Sequence, residues 1–214
     1  GRQAGNPALG VSDVALRAEI ERTVAVAARH GIALEAEVAP EDHRARELRR
    51  GVASLLHNLA VVLKGAGPDH TDESLAVSRR SEAISRTLGD EFRIVQSVNH
   101  QAQMVDRETA RRYYLELRSM GYGRGKVMAR QQLARLAAQS GDPHGVDDLG
   151  RLLDELIGAL HAGSSIGTDI DLADYTMRFY VASLAGLPGE ERDTHEGRLV
   201  RLRQRLSDAI RLAV

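Results

Sequence analysis

The chain contains no cysteine, which excludes disulfides, thiol nucleophiles and thiolate metal sites. It has no tryptophan, and aromatic residues make up only 3% of its 214 positions. A core must therefore come from Leu, Ala, Val and Ile, and small residues of that kind suit close helix–helix contact better than a deep aromatic-lined pocket. Neither sign of charge dominates: 29 basic residues stand against 30 acidic ones. A dedicated nucleic-acid or anionic-membrane binder would show a basic excess, so neither partner is expected. Lysine is nearly absent, with Lys64 and Lys126 its only examples. The arginine bias points to a GC-rich bacterial coding sequence rather than to a binding function. No run of about 18 apolar residues and nothing like a signal peptide is present, and the expectation is a soluble, cytoplasmic protein.

What is there is helical periodicity. Hydrophobic content is 43%, and no segment alternates as a strand would. Breaks fall at His30-Gly31, "GAGPDH" (65–70), "LGD" (88–90), "GYGRG" (121–125), "SGDP" (140–143), "HAGSSIG" (161–167) and "GLPGEE" (186–191). Each is a Gly- or Pro-containing stop of the kind that ends a helix. Helix-start chemistry follows two of them, at Thr71-Asp72-Glu73 and at Asp142-Pro143. About eight or nine helices joined by mostly short turns are predicted.

The segments repeat one pattern. "HNLAVVLKGAG" carries Leu59-Ala60, Leu63 and Gly67; "QQLARLAAQSG" carries Leu133-Ala134, Ala137 and Gly141; "FYVASLAGLPG" carries Val181-Ala182, Ala185 and Gly189. The shared alanine admits a neighbouring helix closely, the next apolar position lies on the same face, and glycine ends the helix. "HQAQMVDRET" fits with Ala102 and Val105 but has Thr109 in place of the glycine. Ala76 and Ala83 continue the small-residue pattern into the following helix.

These residues resemble the tetratricopeptide repeat family over roughly residues 48–214. The resemblance implies an all-α fold: a right-handed array of antiparallel helical hairpins, a solenoid in which each unit pairs helices A and B. The aligned alanines are unevenly spaced against the family's period of about 34 residues, so turns or helices must lengthen in two places. Arg130 and Arg178 stand where the family carries bulky aromatic residues. Residues 1–47 are read as an N-terminal segment of one or two helices packing on the array. Residues 48–214 are read as the repeat domain, closed by a capping helix at 190–214.

Motifs for chemistry fail on their spacing. His195-Glu196 has Leu199 where a zinc hydrolase needs its second histidine, and "MGYGRGKV" lacks both the first glycine and the Ser/Thr of a phosphate loop. The Asp147-Asp148 pair has Arg151 and Leu152 one turn on, and "TDIDLAD" has Ala173 at an oxygen-ligand position. No metal site and no cofactor is expected. His57 and His100, mid-helix among polar neighbours, remain as candidate acid–base groups.

The resemblance implies that A helices line a concave, ligand-binding groove. Its register assigns to that groove His57, Val61, Gln96, Asn99, Gln103, Asp106, Met128, Gln131, Arg135, Phe179 and Ser183, and places His100 on a flank. Amides that donate and accept, with Phe179 as an apolar anchor, suit a peptide backbone or a polar small molecule. The family's carboxylate clamp does not fit: Asn58 and Asn99 occupy different repeat positions, and Lys126 and Arg130 are out of register. The function expected is a non-catalytic module binding a partner protein or peptide, the sensor or scaffold part of a bacterial regulatory protein. Two alternatives stand beside it: a helical enzyme using His57 or His100, and an oligomerisation domain. The amphipathic C-terminal helix, with Leu199, Leu202, Leu206 and Ile210 on one stripe and Arg198, Arg201 and Arg205 on another, could carry a homodimer.

Overall fold

The computed structural model describes residues 13–36, 42–120, 123–163 and 166–213, with the side chains of 166–169, 212 and 213 outside that description. Among the described residues all regular structure is helical. In chain order the helices are α1 (Asp13–Arg29), α2 (His43–Ala66), α3 (Thr71–Leu88), α4 (Glu91–Ala102) and α5 (Arg107–Ser119). They continue with α6 (Gly123–Ala138), α7 (Pro143–His161), α8 (Ile166–Leu184) and α9 (Gly189–Ala213), and a short 3-10 turn, Pro68–His70, precedes α3. No described helix is long and apolar enough to cross a membrane.

The starts and stops have local causes. Asp42, Asp90 and Asp142 cap α2, α4 and α7 by accepting from Ala45 N, Arg93 N and His144 N, which satisfies donors that a helix start leaves free. Gly89 and Gly141 take positive φ, 62° and 78°, the left-handed conformation that closes a helix without a Cβ clash. One break has neither Gly nor Pro: α4 ends at Ala102, and Asp106 restarts the chain as α5 by accepting from Thr109 N at 3.0 Å.

The chain divides into two compact units, Gly1–Leu117 and Arg118–Val214. Position 47/48 lies inside α2. In the first unit α1 packs on α2, α2 on α3, α3 on α4, and α2 reaches α4 as well. Its core joins Leu16 and Ile20 to Val52, Leu56, Leu59, Leu63, Ile84 and Leu88. The side of α3 turned inward is a row of serines at heptad spacing, Ser74, Ser78, Ser81 and Ser85, all fully buried. Ser74 and Ser81 donate to the carbonyls of Ala60 and Ala53, each at 2.7 Å, so their hydroxyls are satisfied across the α2–α3 contact.

In the second unit α6 packs on α7 and α8, α7 on α8 and α9, and α8 on α9. Its core is aliphatic: Leu149, Leu152, Leu153, Leu156 and Ile157 of α7 meet Leu172, Met177 and Leu184 of α8 and Leu199 and Leu202 of α9. Close approach here relies on glycine. A Cβ at Gly145 would lie 2.3 Å from Ala138 N and 2.6 Å from Ala134 O, so α7 can start against the end of α6 only without one.

The aligned alanines divide in the same way. Ala60, Ala102 and Ala134 are buried, whereas Ala182 is exposed. Near the end of α8 it faces a surface pocket instead of a packed neighbour, which corrects the packing role its place in the repeat assigns.

Candidate functional site

The groove amides Gln96, Asn99 and Gln103 lie in the first unit, and their oxygens are already committed. Gln96 Oε1 accepts from Arg93 at 2.8 Å, Asn99 Oδ1 accepts from the Tyr114 hydroxyl at 3.2 Å, and Gln103 Oε1 accepts from Lys64 Nζ. Asp106 does not extend α4: its carboxylate holds Thr109 N and Thr109 Oγ1 at the start of α5, and those hydrogen bonds lower its pKa. Val61 is half-buried on α2.

His100 is not on a flank. It is 6% exposed, with Nε2 3.1 Å from Ser74 Oγ. Because the Ser74 hydroxyl hydrogen goes to the Ala60 carbonyl, His100 is the donor in this pair and carries its proton on Nε2. Its ring meets that of His57 edge to face, with centroids 5.8 Å apart. His57 Nδ1 is buried without a partner. Both imidazoles are pushed down to about 4: burial is the main cause for each, reinforced by Arg93 at His57 and by Lys64 at His100. They are neutral imidazoles at neutral pH, packed where three helices meet. The α3 serines come from the same half of the chain, and their heptad spacing was the signal available to find this cluster.

In the second unit Gln131, expected in the groove, is only 2% exposed. Its amide donates to Thr176 Oγ1 at 2.6 Å and to Leu172 O at 3.3 Å, because α6 packs directly on α8 and leaves no open face at that level. Met128 is half-buried. Tyr180, fully buried, places its hydroxyl 2.8 Å from His195 Nδ1 and ties α8 to α9; burial raises its pKa. Among the described residues no cluster of three or more His, Asp or Glu could hold a metal ion.

The remaining three groove residues do come together. Arg135, Phe179 and Ser183 line a pocket of about 720 Å³ at the C-terminal ends of α6 and α8, a size typical of ligand sites. Its other walls are the turns into α7 and α9: Gln139, Gly141, Asp142, Pro143 and Val146 on one side, and Gly186, Leu187, Pro188 and Glu191 on the other. The Arg135 guanidinium carbon stands 5.1 Å from the centre of the Phe179 ring, a cation–π arrangement. Ser183 Oγ donates to Phe179 O at 2.8 Å. Sequence reasoning treated both turns as punctuation alone, so it missed the walls they supply.

The chain matches no known family. No family model, no curated protein and no solved structure is similar to it. The pocket and the histidine cluster therefore have to be interpreted from their own chemistry. Of the two, the pocket is the open one, since His100 is buried.

Proposed function

We propose that the chain is a non-catalytic binding module of tetratricopeptide-like helical hairpins, which holds a segment of a partner protein through the pocket of its second unit. In a bacterial regulatory protein such a module would serve as sensor or scaffold. The order of packing supports the hairpin reading: from α1 to α4 and from α6 to α9 each helix packs on the next in sequence, and α2, α6 and α7 pack also on the next but one. The observation that carries the functional reading is the pocket itself. It joins an apolar floor to a stacked guanidinium, an amide and a hydroxyl, the mixture that receives side chains and backbone of a peptide together.

The catalytic reading is weaker on physical grounds. A base with a pKa of about 4 has little proton affinity at neutral pH, and His100 is sealed between helices. A synthetic library of short peptides with acetylated and amidated ends tests the binding reading. Peptides selected by the wild-type chain should lose binding to Ala182→Trp, which fills the pocket from an exposed position and spares the core. Selection of no peptide, or of peptides indifferent to that substitution, would overturn it.

A further inference from the structure

The charges of the pocket are unevenly satisfied. Several half-buried or paired arginines of the second unit find acceptors: Arg130 holds Glu155 through both terminal nitrogens, Arg198 and Arg205 share Asp154, and Arg192 donates to Ala185 O and Leu187 O. Arg135 differs. Its side chain makes no ion pair and no hydrogen bond among the described residues, and its Nε, like that of Arg192, is buried without a partner. Its one described interaction is the stack on Phe179. That contact anchors the guanidinium over the ring and leaves its terminal N–H groups without a described acceptor.

Nε is closed to a ligand as it is to water, so the groups open to an acceptor are the terminal N–H groups, and a charge-assisted hydrogen bond to them is among the stronger ones. A planar guanidinium already held in place is suited to a carboxylate, which can accept from two N–H groups at once. The acidic groups in the lining do not present the converse demand. Asp142 accepts from His144 N at 3.0 Å as the cap of α7, and Glu191 lies in the first turn of α9, where the helix dipole favours an anion. One face of the Phe179 ring is already taken by the Arg135 cation. Pro143, Ala182 and Pro188 supply exposed apolar surface in the same pocket, backed by the buried Val146 and Leu187.

We propose that this pocket takes an acidic side chain of a partner segment, with its carboxylate on Arg135 and the apolar residue beside it on Ala182 and Pro188. This rests on the binding-module reading and names the chemistry of its ligand. Glu191, of the same sign as the ligand, then sets how tightly an acidic segment is held.

The blocked peptide library provides the test, since its members carry no terminal carboxylate. Peptides selected by the wild-type chain should share an Asp or Glu next to an apolar residue. Arg135→Gln should weaken them about 10- to 100-fold, as expected for loss of a charge-assisted hydrogen bond, with the fold checked by its melting transition. Peptides in which that acid is replaced by its amide should bind wild type and Arg135→Gln alike, and Glu191→Gln should tighten the acidic ones. Selected peptides that lose binding to Ala182→Trp but carry no acid and ignore Arg135→Gln would overturn this inference and leave the module reading standing. Binding that ignores Ala182→Trp would overturn both. Competition by 3-phenylpropionate as strong as by the peptide would move the ligand from a partner segment to a small acid, against the proposal.

Discussion

The two units build close helical contacts from different materials. The first lines the inner side of α3 with serines that reach backbone carbonyls of α2, and sets two neutral imidazoles beside them. The second removes side chains at Gly145 and fills the space around α7 with leucines. A hydroxyl keeps its volume small but must be hydrogen-bonded, whereas glycine has no such requirement and no tolerance for a Cβ. The difference separates their vulnerabilities: the second unit should be brittle to added volume, and the first to added protons.

The sharpest break of that contrast is Gly145→Ala. Its methyl carbon would stand 2.3 Å from Ala138 N and 2.6 Å from Ala134 O, backbone atoms that cannot rotate away. A cost of about 3 kcal/mol is expected, at the upper end of overpacking effects, read as a lowered melting temperature and lost amide protection in the second unit. Gly158→Ala in the same helix is the control. Its Cβ meets nothing within 4 Å, and the substitution should stabilise α7 by about 0.5–1 kcal/mol. Equal effects at the two positions would remove close approach as the reason for Gly145.

Protons test the other side. The native pKa of His57 and His100 is depressed from 6.5 to about 4, so the unfolded chain binds protons first as pH falls. Their contribution to stability is intact above pH 6.5 and is lost between 6.5 and about 4. At 1.36 kcal/mol per pH unit that is about 3 kcal/mol for one histidine, reduced to about 2 once solvent screening of a partly exposed ring is counted. Denaturant titrations at descending pH, read by hydrogen exchange, should show protection falling first in α2–α4. Among the described residues His100 is the one histidine in the buried set, and the second unit has no matching imidazole in its core. His57→Gln should flatten the slope. An unchanged slope would mean the rings titrate in solvent.

How much of this was legible beforehand follows the same division. Glycine and proline ended helices where expected, at Gly31, Gly67, Gly89 and Gly141 among others, because backbone preference is local. The break after Ala102 was not legible, since Asp106 marks it only through a side-chain cap on Thr109. Helical facing held at Ala60, Ala102 and Ala134 and failed at Ala182 and Gln131. Spacing gives the angle of a residue on its own helix, but not whether a neighbouring helix stands there. Arg135, Phe179 and Ser183 could be grouped because all lie on α6 and α8. The walls from Val146, Leu187 and Glu191 depend on where two turns fold back, which no periodicity encodes.

The smallest expected effect separates hydroxyl chemistry from hydroxyl size. Ser81 Oγ donates to Ala53 O at 2.7 Å and receives Ser97 Oγ at 3.4 Å. Ser81→Ala keeps the close approach and removes the bonds, at a cost of about 1 kcal/mol. It is modest because Ala53 O is also placed to serve the α2 helix ladder. Ser81→Val adds volume to a fully buried contact between α2 and α3 and should cost more, about 1–3 kcal/mol. Denaturant midpoints of the two variants decide the matter. If valine proves the milder change, the serine row is not a device for close packing, and the first unit would tolerate the aliphatic filling that the second one uses.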